Sequence, residues 1–568
     1  MTTVSKHASF LFFPFQLLSD DAAAVENGVV QPLRDRTLRD VSEGLPLPAG
    51  LRERFAGGDG ELPVWQEVSP GARDLHPQVR AILGVGGEGA PLPPHLGPED
   101  VKRFVSHPPQ ELTKAARNVV SGAWGKRGSG MEVQLRKAAV RRLGLVEPAQ
   151  EDRGTKKAKQ PPVWLPVRVE NATVWLCGTG VGIVVVELSF TTVEGKGRLG
   201  TAGIIEGNYA CYRTGSQAEP MRWRQAAGKG GAGDGLWRCV TRDAGGQDPG
   251  ETLTLEGIVS ALVPLAGDPN TAEDGGAGAV QGVAIHWERL FTYTAVQLAE
   301  PLASERERIE LAYRLSRKIT DAYLPSDERL REGVVGAFDN ILHASALEGG
   351  AVVVEETLVE GKEVDFFKNF IAKAVRPTYF YLAILGAQEY CKLLRMVEST
   401  ALPVSLKSAG PKDLDYLDRV RRCLLEFQLN YRFSQASLLT IHNRVYEEWR
   451  RVLGLDRMLA ELREDVSQVT SYLDYRLQKD YETLQRDYET LQKSREVKRN
   501  QLGRTQTVLG IIIGAAIGLT GVFGMNIRGF QDVPWDSPFA LTWIGGLGGG
   551  AVVLAAGYYW WSSRIEKR

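Results

Sequence analysis

The chain has 568 residues and a mass of 62.4 kDa, which leaves room for two to four domains and excludes a lone small fold. Charged residues make up 24% and hydrophobic residues 43%, and 68 Lys+Arg stand against 69 Asp+Glu, so wholesale disorder is excluded and no net basic field points to nucleic acid. A mean hydropathy of -0.19 excludes a dozen membrane spans but not a few.

At the N-terminus, Lys6 precedes an apolar run from Phe10 to Leu18. Pro14 and Gln16 interrupt that run, and Asp20-Asp21 stands where a signal peptide would need small residues, so a short aromatic strand in the cytosol is expected. From about 160 to 300 the pattern is strand-like, with Pro166 to Val169, Thr173 to Leu176 and Val181 to Phe190 rich in β-branched residues. Gly178-Thr179-Gly180 reads as a hairpin turn, because strand rather than helix follows these glycines and a dinucleotide fingerprint needs a helix there. Gly125-Lys126 fails as a phosphate loop, since only Ala123-Trp124 separates it from the preceding glycine. Gln150 to Pro162, Ala226 to Gly235 and Asp268 to Gln281 read as loops or insertions. Ser304 and Glu307 form a capping box before Leu311, Leu315 and Ile319, predicting a helix that ends near Pro325.

Cys177, Cys211, Cys239, Cys391 and Cys423 form no CxxC pair, and the seven histidines (His7, His76, His95, His107, His286, His343, His442) are scattered. Neither a disulfide framework nor a zinc site is expected, and no nucleophile-base pair marks an enzyme. After about Val359 the pattern turns helical, with candidates at Pro377 to Glu398, Asp413 to Leu453 and Asp456 onward. Proline is absent between Pro411 and Pro534. In the last candidate, Leu455, Leu459, Leu462, Val466, Val469 and Leu473 step by three and four. After a stutter, Leu477, Tyr481, Leu484, Tyr488 and Leu491 resume the rhythm over a repeated heptad, Leu477 to Thr483 and Leu484 to Thr490. Nothing from Leu455 to Asn526 forbids one helix, which would reach roughly 108 Å.

Two uncharged windows close the chain, Thr505 to Ile527 and Ser537 to Ser563, each long enough for the roughly 20 residues of a membrane span. Trp535 precedes the second window, and Tyr558, Tyr559, Trp560 and Trp561 end it, as interfacial aromatic belts do. Lys493, Arg495, Lys498, Arg499 and Arg504 before the first window, with Arg564, Lys567 and Arg568 after the second, place both termini in the cytosol. The expected fold is therefore a cytosolic α/β domain (1–345), a cytosolic helical region and stalk (355–505) and two C-terminal transmembrane helices (506–563). The expected location is the plasma (inner) membrane, crossed more than once.

The first window ends in Val522-Phe523-Gly524-Met525-Asn526, behind a proline-free helix and an α/β domain, and here the chain resembles the CorA superfamily of two-span cation channels and transporters. The resemblance covers about 455–568. It implies a homopentamer conducting a divalent cation, Mg2+ or else Zn2+, Co2+ or Ni2+, with Gly524, Met525 and Asn526 at the pore entrance. Five Asn526 amides would hydrogen-bond a hydrated Mg2+, an ion that dehydrates reluctantly. It further implies a pore lined by Ile517, Gly514, Gly510, Gln506, Gly503 and Asn500. Two departures stand out. Arg528 puts a positive charge at the mouth where relatives carry an acid, and Gly510 and Gly514 replace bulkier residues. Membrane lipid and a small-molecule ligand of the cytosolic domain are the other expected partners. Two alternatives remain open: a ZntB-like, proton-coupled Zn2+ transporter, and a ligand-gated effector of the kind associated with type III CRISPR defence, which answers a nucleotide messenger.

Overall fold

The computed structural model describes chiefly residues 3–17, 74–83, 164–191, 199–212, 290–320, 324–401, 411–524 and 537–565, with shorter pieces between. It divides into two compact units, Met1–Ser467 and Gln468–Arg568.

The first unit is built on an 11-stranded sheet. Its strands are β1 (Val4–Leu17), β2 (Met131–Gln134), β3 (Trp164–Leu176), β4 (Val181–Phe190), β5 (Arg222–Gln225), β6 (Leu236–Arg238), β7 (Gly282–Ala284), β8 (Phe291–Leu298), β9 (Val334–Phe338), β10 (Ile341–Ala346) and β11 (Gly349–Glu355). The order is β6-β5-β2-β3-β4-β1-β8-β11-β10-β9, with β7 also on β1. Every pairing is antiparallel except β8 with β11, which needs a crossover and receives one through a helix.

The apolar run of β1 is the middle of this sheet. Leu11, Phe13 and Phe15 enter the core on one face, while Ala8, Phe10 and Phe12 enter the core on the other. A strand covered on both faces has no polar side to display, which explains why aromatic and aliphatic residues fill Phe10 to Phe13 without alternation. The two strands expected at 166–169 and 173–176 are one continuous β3, with a register irregularity between Val169 and Asn171. The turn before β4 forms as expected, with Gly180 at φ +76°. Gly182 is required beside it, because a Cβ there would fall inside the Phe15 ring.

One face of the sheet carries α2 (Thr201–Tyr212) and α3 (Glu305–Arg317); a short α1 (Pro77–Leu83) contributes to the opposite face. The Ser304 side chain accepts from the Glu307 backbone N–H at 3.2 Å, as the capping box predicts, and the Glu307 carboxylate reaches back to the N–H of Ala303. The helix stops before the expected Pro325. Lys318 turns left-handed at φ 55° and caps it, its backbone N–H donating to the Arg314 carbonyl.

The opposite face is packed by a π-helix (Ile371–Tyr379), α4 (Phe380–Ala401), α5 (Pro411–Asn430), α6 (Thr440–Val452) and the first turns of α7 (Leu455–Gly524). The single helix expected over Asp413 to Leu453 is in fact two. Between them Phe433 and Ala436 drop into the core, and Ser437 ties the chain to the loop before α1 through the Asp74 carbonyl. Tertiary packing, with no proline or glycine to announce it, breaks the helix. Gly454, at φ +66°, then turns the chain into α7.

In the second unit α7 continues unbroken to Gly524, and α8 covers Pro538–Ile565. Among the described residues, no helix is long and apolar enough to cross a membrane. This overturns the expected pair of transmembrane helices, and with it the multi-pass membrane location. The uncharged windows do become helix, in the last turns of α7 and in α8. The insertions expected at 150–162, 226–235 and 268–281 lie outside the described residues.

Candidate functional site

The residues assigned to a cation path lie in the second unit. Asn500, Gly503, Gln506, Gly510, Gly514 and Ile517 are all on α7 and all exposed. At about 100° per residue they fall within an arc of roughly 120°, so the helix does bring them to one side. A Cβ added at Gly503, Gly510 or Gly514 would meet nothing within 4 Å, so no neighbour in the chain demands a glycine there. Gly524 is the last residue of the helix, whereas Met525, Asn526 and Arg528 lie outside the described residues.

Upstream on the same helix, Leu477, Tyr481, Leu484, Tyr488 and Leu491 keep the four-three spacing and stand 39–70% exposed. Apolar side chains at that spacing form a seam for a second helix. The flanking surface is polar and local: the Thr483 and Thr490 hydroxyls donate back to the Lys479 and Arg486 carbonyls, four residues earlier on the helix.

The first unit holds chemically distinctive groups that sequence inspection passed over. Glu389 on α4 is buried, and the Tyr446 hydroxyl on α6 donates to its carboxyl at 2.5 Å. Burial pushes Glu389 up to about 8, against the pull of Tyr446 and Arg450, so it holds its proton at neutral pH. Arg450 lies over the Tyr446 ring, donates to the Phe433 carbonyl and shares Asp456 with Arg432, each guanidinium 2.5 Å from the carboxylate. A cavity of about 300 Å³ opens beside it, lined by Glu447, Arg450, Arg451, Gly454, Asp456 and Arg457. Its arginines are answered by Asp456, Glu448 and Glu461, so it presents balanced ion pairs and no free cationic fork.

Ser437 and His442 come nearest to a nucleophile and base, with Oγ 3.0 Å from Nδ1. The serine hydrogen is already given to the Asp74 carbonyl, and its oxygen accepts from the Leu439 N–H. That leaves His442 Nδ1 as the donor to Ser437, the reverse of what nucleophile activation requires. The pair therefore fixes the α5–α6 connection. Near it, the His343 ring lies tilted at 41° to Tyr379 with centroids 4.2 Å apart, and Tyr379 meets His442 edge-on at 5.0 Å. Burial, with His442 close by, drives His343 down to about 3. On the other face Lys318 is buried, gives its ammonium to the Glu348 carbonyl at 2.6 Å and sits 4.8 Å from the Tyr212 ring centroid. Burial lowers it to about 7.

Among the described residues no group of three His, Cys, Asp or Glu side chains could hold a metal ion. Glu389 could have been noticed in the sequence as the one charge in the run from Tyr379 to Cys391, but Lys318 and Ser437 carry no local signal. Comparison with protein-family models, with curated proteins and with solved structures finds no match for this chain.

Proposed function

We propose that the protein works as a homo-oligomer that assembles along α7 and gathers a hydrated divalent cation at a ring of Gly524, Met525 and Asn526, with the sheet unit as its regulatory part. The observation that carries this reading is the exposed seam of Leu477, Tyr481, Leu484, Tyr488 and Leu491. Five large apolar side chains at heptad spacing leave water only when another helix covers them, and copies of the same chain present the same seam in register. Parallel association would bring the ends of the helices together, and with them each copy's Asn526. Amide oxygens are suited to an ion that keeps its water shell, so Mg2+ is the expected guest. Five is the number of copies that the resemblance to the CorA superfamily implies. Arg528 would oppose the ion electrostatically and weaken its binding at low salt.

The test is light scattering of the full chain combined with Mg2+ titration calorimetry. Asn526→Ala is expected to abolish Mg2+ uptake while the assembly keeps its mass. Unchanged uptake would remove the ring, and a single-copy mass for the unaltered chain would remove the assembly.

A further inference from the structure

Beneath α2, at the middle of the sheet, four polar side chains are sealed from solvent: Ser9 on β1, Thr292 and Thr294 on β8, and Asn208 on the helix, all 0% exposed. Ser9 and Thr294 are direct cross-strand partners, so their Cβ atoms lie about 4.5–5.5 Å apart. Thr292 is two residues along β8 on the same face, about 7 Å away. Asn208 descends from α2 and gives its Nδ2 to Thr294 Oγ1 at 2.9 Å.

That single bond is the only one formed within the cluster among the described residues. Ser9 Oγ, Thr292 Oγ1 and Asn208 Oδ1 have no hydrogen-bond partner in the described protein. The neighbouring backbone offers little relief. β1 lies between β4 and β8, and β8 lies between β1 and β11, so the carbonyls of both strands are engaged in ladders. Asn208 has Ile204 and Cys211 on its own face of the helix, one turn to either side, and both are buried. Two hydroxyls and one amide oxygen thus share one buried face with no partner in the described protein. Leaving such groups unmet in a dry interior is costly, and native structures commonly satisfy them with an ordered guest.

We infer that Ser9, Thr292, Thr294 and Asn208 form a binding site for one internal water molecule that bridges α2 to the β1–β8 pair. The guest is neutral because the four groups carry no charge, and it must both donate and accept, because the site offers hydroxyls and an amide oxygen. Water has both properties and takes the two to four partners found here. The site makes the seating of α2 depend on a hydrated contact.

The sign of a methyl-for-hydroxyl exchange decides the matter. Thr292→Val keeps the shape and removes one oxygen. If water fills the site, the full chain unfolds about 2–4 °C lower, and the slowest-exchanging water seen by oxygen-17 relaxation dispersion is lost. If the hydroxyl is merely stranded, replacing it by methyl leaves the unfolding temperature unchanged or raises it, and the internal water inference is overturned. Ser9→Ala provides the same test from the other strand, should Thr292→Val disturb folding by itself.

Discussion

The two units use the same apolar residue types in opposite ways. In the first, Phe10, Phe12, Phe13, Tyr293 and Trp449 are sealed on the two faces of one sheet. In the second, Leu477, Tyr481, Leu484 and Tyr488 stand in the open on a single helix. A sheet with helices on both faces completes its own core, whereas a long helix can hide a stripe only against another helix. The first unit therefore buries its apolar residues within itself, whereas the stripe of the second unit stays exposed in a single copy.

The largest expected effect attacks the exposed stripe. Replacing Leu484 and Tyr488 together by Glu puts charge into the seam, and the mass by light scattering should fall from several copies to one. The unfolding temperature of the first unit should stay where it was. If the mass does not change, the seam does not assemble the protein and the contrast between the units fails.

Next comes the buried core of the first unit. Trp449 is fully buried, and its ring occupies the place where Gly350 lacks a side chain. Trp449→Ala should cost about 3–5 kcal/mol of stability, and Gly350→Val about 1–3 kcal/mol through overpacking, both read by denaturant unfolding. Neither should alter assembly.

Smaller effects follow from buried titrating groups. The proton affinity of Lys318 is lowered in the fold to about 7 from an ordinary 10.5, so between those values the unfolded chain holds a proton that the folded chain has released. Stability therefore rises with pH across that window, and the cost of the buried charge is fully present below it. Lys318→Met should flatten that rise, which denaturation at pH 6.5 and pH 9 would show. His343 behaves alike at lower pH: its proton affinity is lowered to about 3 from 6.5, so stability is lost as pH falls through that range, and His343→Phe should reduce the loss. The smallest change expected is Ser304→Ala, about 1 kcal/mol for a lost helix cap.

How much of this was legible depends on whether the signal is local. The β1 strand, the Gly180 turn, the Ser304 cap and the long α7 were readable because each is written in consecutive residues. The break between α5 and α6 was not, since it is made by Phe433 and Ala436 entering the core and Ser437 reaching Asp74, more than 360 residues away in sequence. The hairpin of β10 and β11 escaped for a related reason: fully buried strands such as Ala351 to Val354 show no alternation. The uncharged windows misled in another way, because the length of an uncharged run was taken for a membrane span. Of the first unit's buried polar groups, Glu389 stood out in the sequence as a lone charge in an apolar run, while Lys318 and the Ser9–Thr292–Asn208 cluster exist only through three-dimensional packing.

The position of β1 has a consequence for how the protein is made. This strand lies in the middle of the sheet, yet it is synthesised well before its second neighbour β8, from which more than 270 residues separate it (Leu17 to Phe291). At roughly 5–20 residues per second, Phe10, Phe12, Phe13 and Phe15 wait for about 15–60 s with one edge unpaired. During that interval the nascent chain carries an aromatic strand whose partner has not yet been made, and translation speed becomes a determinant of yield.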